Sequence, residues 1–159
     1  MIIQNSTHIV VSNLYKYYGQ LDKDLVSLNS IAKYINSENL SLNILKNWSS
    51  NRSSPSLYQL NELAYYMSVH PSQLLIEDIQ FAIDTPIWKD NIIDVFYSNF
   101  EKYNEKHLNW SNDFDESLMS YRTYLEILRS RRESISLKKM DIIATILGIK
   151  TVSLLEDNN

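Results

Sequence analysis

Slid against itself by 80 residues without a gap, the chain aligns Leu45 to Leu75 with Leu125 to Leu155, and nine positions in that stretch are identical. They are Leu45/Leu125, Ser50/Ser130, Arg52/Arg132, Ser54/Ser134, Ser56/Ser136, Leu57/Leu137, Ala64/Ala144, Leu74/Leu154 and Leu75/Leu155. Average residue usage gives roughly two such matches by chance. Apolar character repeats as well, at Trp48/Leu128, Leu60/Met140, Leu63/Ile143, Met67/Leu147 and Val69/Ile149. The chain is therefore a tandem repeat. Its period exceeds that of solenoid arrays, about 20 to 50 residues, and suits a small domain that folds by itself. The expected organisation is one domain over residues 1-80 and a second over 81-159. The junction falls before Thr85-Pro86, where Pro suits a first helical position and Thr its cap.

Each unit reads as helical. Two glycines and three prolines in 159 residues are far fewer turn-formers than a β-rich domain of this size needs. In the first unit, Thr7 to Tyr18 carries Val10, Val11, Leu14 and Tyr18 at helical spacing, and Ile31, Tyr34 and Ile35 mark a second helix. Leu42, Leu45 and Trp48 mark a third; Ser56 and Gln59 form a capping box that opens a fourth running through Met67. Pro71 starts a short fifth helix, with His70 as its cap, ending at Leu74 and Leu75. In the second unit Pro86 is expected to start a long helix carrying Ile92, Ile93, Phe96, Phe100 and Tyr103. Trp110, Phe114 and Leu118 suggest a second helix, Arg122 to Arg129 is the third, Ser136 caps the fourth, and Val152 to Leu155 ends the fifth. Tyr15, Tyr17 and Tyr18 are too many rings to bury on one helix face, so at least one is expected at a contact beyond it.

The segments LSLNILKNWSSNRSSPSLYQLNELAYYMSVHPSQLL and YRTYLEILRSRRESISLKKMDIIATILGIKTVSLL resemble the recognition helix and following helices of the phage-repressor and Cro (XRE-like) type of helix-turn-helix domain. Shared features are a buried aliphatic in the third helix (Leu45, Leu125), a turn residue ten positions on (Pro55, Ile135) and an inward Ala (Ala64, Ala144). A small residue before an aliphatic (Ser68-Val69, Gly148-Ile149) and a Leu-Leu ending complete the pattern. Asn51 and Arg131 stand where that family usually has Gly, and the turn NSENLSL is about three residues longer than usual. The resemblance implies an all-α fold of two tandem lambda-repressor-like five-helix domains.

It also implies a sequence-specific transcriptional regulator of repressor type, whose third helices enter the major groove of double-stranded DNA. With Leu45 and Trp48 inward, base contacts fall to Leu42, Asn43, Lys46 and Asn47, and in the second unit to Arg122, Thr123, Glu126 and Ile127. Asn matches adenine, Arg matches guanine and Glu accepts from cytosine. The loops that follow offer Ser50, Arg52, Ser53, Arg129, Arg131 and Arg132 to phosphates. The net charge is −4, yet Arg122 to Lys139 holds six basic residues against two acidic ones. Because the units differ, the expected operator is asymmetric; a simple palindrome calls for a homodimer of the chain.

The same residues allow a competing expectation, a protein-interaction module of antirepressor or antitoxin type that reuses the fold. It draws on the net acidity and on Leu42 and Ile127 at outward positions. No enzymatic activity, cofactor, metal or small-molecule ligand is expected. His8, His70 and His107 are scattered, and no glycine-rich phosphate loop or nucleophile motif is present. Absence of cysteine and of any apolar run approaching the roughly 18 residues of a membrane helix, with a start lacking a basic flank, points to a cytoplasmic protein.

Overall fold

The computed structural model describes residues 3–81, 91–106 and 114–157, which form α-helices and short 3-10 helices with no strand among them. The all-α expectation holds. The α-helices are α1 (Ser6–Leu21), α2 (Leu28–Ile35), α3 (Leu42–Ser49), α4 (Leu57–Tyr66), α5 (Ile92–Glu105), α6 (Tyr121–Ser130) and α7 (Leu137–Leu147). The 3-10 helices are Glu38–Leu40, Pro71–Leu75 and Thr151–Leu154. Each α-helix starts after an Asn or Ser (Asn5, Ser27, Ser41, Ser56, Asn91, Ser120, Ser136) whose side chain accepts a free backbone N–H of the first turn. The Asn- and Ser-rich composition thus does structural work, each cap being worth about 1 kcal/mol.

The long turn before α3 is built rather than slack. Asn36 ends α2 in the left-handed region, Glu38–Leu40 forms the 3-10 turn, and Leu40 is fully buried. The second unit corrects two expectations. Its long helix starts at the Asn91 cap, not at Pro86, and Thr85, Pro86 and Trp88 lie outside the described residues. Leu118 lies on a turn before α6 and Phe114 in irregular chain ahead of it, neither in a helix, and Trp110 lies outside the described residues. The cause is local: Asp115 accepts a hydrogen bond from the Ser117 N–H at 2.9 Å, an acidic side chain competing with helix formation. Phe114 packs edge-on against Tyr121 and Tyr124.

A second, shifted match emerges in three dimensions. α1 and α5 correspond at a separation of 86, pairing Asn5/Asn91, Ser12/Ser98, Asn13/Asn99, Lys16/Lys102 and Tyr17/Tyr103. Asn13 donates to the carbonyls of Leu74 and Ile76 at 2.9 and 3.1 Å; Asn99 donates to those of Leu154 and Glu156 at 3.0 and 2.8 Å. Each unit is closed by the same buried amide pinning its last turn to its first helix.

The units meet through a contact in which equivalent residues face each other. Ser56 and Ser136, equivalent residues, face each other in an antiparallel bridge. The Leu57 N–H donates to the Ile135 carbonyl at 2.9 Å and the Leu137 N–H to the Pro55 carbonyl at 2.7 Å. Around the bridge α1 meets α7, α4 meets α5, and Pro71–Leu75 meets Thr151–Leu154. One continuous hydrophobic cluster runs through both units. The α1/α7 side alone carries a buried carboxylate: Asp141 accepts from the Ser6 N–H and hydroxyl and from Thr151 Oγ1. Burial pushes the Asp141 carboxyl above its ordinary value, and the bonds from Ser6 and Thr151 oppose that rise. Its equivalent in α4 is Asn61, whose buried Oδ1 has no hydrogen-bond partner among the described residues. Of the α1 tyrosines, Tyr18 is buried, Tyr17 packs on Phe81 just past the first unit, and Tyr15 is exposed.

Candidate nucleic-acid interface

α3 is held by Leu45 and Trp48, both buried, which fixes its rotation. Asn43 and Lys46 are exposed on the opposite side, and Asn47 is half-buried beside them. α6 sits differently. Tyr124 is its buried anchor, while Leu125 and Leu128 are half-buried, so the aliphatic expected inward shares that role with a neighbouring ring. The Tyr124 hydroxyl donates to Asn104 on α5 at 2.8 Å, satisfying the polar tip of that buried ring.

Of the proposed base-reading residues, Asn43 and Lys46 on α3 and Arg122 and Glu126 on α6 are exposed. Leu42 and Ile127 are half-buried, and Ile127 packs against the core, because an apolar side chain beside a helix-core seam folds back onto it. Thr123 is tied to the N-terminal cap: its backbone N–H donates to Ser120 Oγ at 3.1 Å, and that hydroxyl donates to Thr123 Oγ1 at 2.8 Å. Arg122 Nε lies 3.3 Å from Glu126 Oε1, with side chains 91% and 66% exposed. An exposed i,i+4 pair is worth a few tenths of a kcal/mol, so base edges can displace it.

The loops after α3 and α6 each contain one left-handed residue. Asn51 (φ 61°) and Arg131 (φ 48°) both take left-handed conformations, the region glycine enters at no steric cost. Several expected phosphate donors are engaged internally. The hydroxyl of Ser50 donates to the Asn47 carbonyl at 3.3 Å, and the Arg52 and Ser53 N–H groups donate to the same oxygen at 2.9 and 3.3 Å. The exposed Ser50 hydroxyl thus helps satisfy the last carbonyls of α3. Arg131 is partly held as well, its Nη2 2.9 Å from Asp94 Oδ1 and its guanidinium 5.8 Å from the Tyr97 ring centre.

Arg52, Ser53, Arg129 and Arg132 are exposed. No side-chain partner of Arg52, Arg129 or Arg132 occurs among the described residues; the Arg132 backbone N–H donates to the Tyr97 hydroxyl at 2.9 Å. Beside α6 lies an open groove of about 890 Å³ whose cationic members are Arg122, Arg129, Arg132 and Lys139, with Glu116 and Glu126 as the acids. Lys139, on the first turn of α7, belongs to this surface although sequence reasoning gave it no role. Its signal was present in the basic run ending at Lys138-Lys139.

Among the described residues no group of His, Asp and Glu side chains is placed to hold a metal ion, and no helix is long and apolar enough to cross a membrane. No family model, curated protein or solved structure matches the chain.

Proposed function

We propose that this chain is a double-stranded DNA-binding regulator of transcription, in which the helix-turn-helix of the first unit (α2 and α3) and the equivalent helix α6 of the second unit meet major grooves. The observation that carries the reading is the equivalence of these two helices. Each is anchored by a buried side chain on one side and exposes polar and charged groups on the other, Asn43 and Lys46 in one unit and Arg122 and Glu126 in its repeat. Base edges are read by such side chains, Asn toward adenine and Arg toward guanine. Arg52, Arg129, Arg132 and Lys139 supply the charge that meets phosphates and displaces counterions, which offsets the net acidity of the molecule. Because the units are linked, the second binds at the effective concentration set by the first, and two modest affinities combine.

Gel shifts with genomic fragments at low and moderate salt test this reading. The expected result is a subset of fragments bound specifically, with affinity falling steeply as salt rises; no shift at either salt concentration overturns it. One observation favours a second reading, a protein-binding module. Leu125 and Ile127 line the cationic groove and are only half-buried, leaving apolar surface a protein partner could cover. That reading expects no salt-sensitive DNA binding at all.

A further inference from the structure

We infer that one copy of this chain binds an inverted pair of unequal half-sites, with the Ser56/Ser136 bridge lying over the centre of the DNA site. The inference rests on the DNA-binding reading and adds half-site orientation and stoichiometry to it. Linked repeats can be related by translation, which orients both recognition helices alike along the DNA, or by a twofold rotation, which inverts one of them. The hydrogen bonds decide between these. Leu57 to Ile135 and Leu137 to Pro55 become each other when the units are exchanged, because 55/135 and 57/137 are equivalent pairs. The helix contacts obey the same exchange, since α1 against α7 becomes α5 against α4. Pro71–Leu75 and Thr151–Leu154 pack on each other and simply swap. A residue facing its own equivalent is the mark of an isologous contact and is absent from a head-to-tail one.

A twofold protein matches the dyad of B-DNA, so its two recognition helices meet half-sites written in opposite directions. The self-complementary surface is already occupied inside the chain, so no second copy is needed, and the homodimer expected for a palindrome is replaced by one molecule. The half-sites stay unequal because Asn43, Lys46 and Asn47 in one unit correspond to Thr123, Glu126 and Ile127 in the other. Arg52 and Arg132 are equivalent, exposed, and four residues before the axial serines. They therefore flank the centre of the site from opposite sides and meet the backbone of the spacer between half-sites.

Selection by the full chain from a random-sequence duplex library, followed by native mass measurement of the complexes, tests this. Two different motifs in opposite orientation, roughly 10 bp apart centre to centre, with one chain per duplex, are expected. Asn43→Ala with Lys46→Ala should relax the preference on one side of the centre, and Arg122→Ala with Glu126→Ala on the other. Arg52→Ala with Arg132→Ala should weaken binding several-fold while leaving both motifs unchanged. Motifs in the same orientation, or two chains per duplex on identical half-sites, overturn the inference while DNA binding stands. Enrichment of no motif and no salt-sensitive binding overturns the DNA-binding reading itself.

Discussion

Two single positions show how each unit solves the same backbone problem with different residues. Ser68 and Gly148 are equivalent and both have positive φ, 54° and 69°. A non-glycine residue there costs of order 1 kcal/mol. Ser68→Gly is therefore expected to raise stability by about 0.5–1 kcal/mol and Gly148→Ala to lower it by about 1 kcal/mol, both read from urea midpoints at unchanged slope. The buried amides give the opposite sign. Asn13→Ala removes the donor that satisfies two carbonyls and is expected to cost about 1–3 kcal/mol in the same assay. Asp141 adds a pH dependence. Burial raises its carboxyl above 3.8, so the folded state holds the proton more tightly than the unfolded chain does. Stability contributed by this group is then present at acid pH and lost as pH rises through the raised value. Unfolding curves across the acid range should show that fall in the wild type, and Asp141→Asn should flatten it; equal slopes would contradict the assignment.

At the level of helices, caps and periodicity were the legible signals. Ser56 with Gln59, Pro71 behind His70, and the inward Leu45 and Trp48 were all readable, because side-chain capping and helical spacing are local. What was not legible depended on contacts distant in sequence. A gapless comparison at 80 stops at Leu45, and the match of α1 with α5 at 86 is hidden by the six extra residues that the first unit carries between its first helix and α3. Asn13 and Asn99 looked like ordinary polar residues until their acceptors, some 60 residues away, were in place. The outward faces of α3 and α6 were foreseen in part, with Asn43, Lys46, Arg122 and Glu126 exposed and Leu42 and Ile127 partly withdrawn. At this scale Arg131→Gly is a telling variant. It relieves a left-handed arginine and removes one charge already paired to Asp94, so stability should hold within about 1 kcal/mol. DNA affinity should fall less than for Arg132→Gly, as gel shifts at one fixed salt concentration would show.

For the whole molecule, the shared hydrophobic cluster and the reciprocal bridge join the two units into one packed body, from which cooperative unfolding is expected. Leu57 and Leu137, fully buried beside the axis, belong to both. Leu137→Ala is expected to cost about 2–5 kcal/mol and to shift a single unfolding transition for the entire chain, with helical signal and aromatic fluorescence changing together; two separated transitions would show the units to be independent.

A twofold arrangement fixed within one chain also changes how occupancy responds to supply. Two unlinked partners of different sequence would assort into three pairings and would come apart on dilution, so their effect would climb with a higher power of their abundance. Here the mixed pairing is the sole product of translation and needs no encounter to form. If the chain regulates transcription as proposed, its effect should therefore scale in direct proportion to its level, without the threshold that subunit assembly imposes.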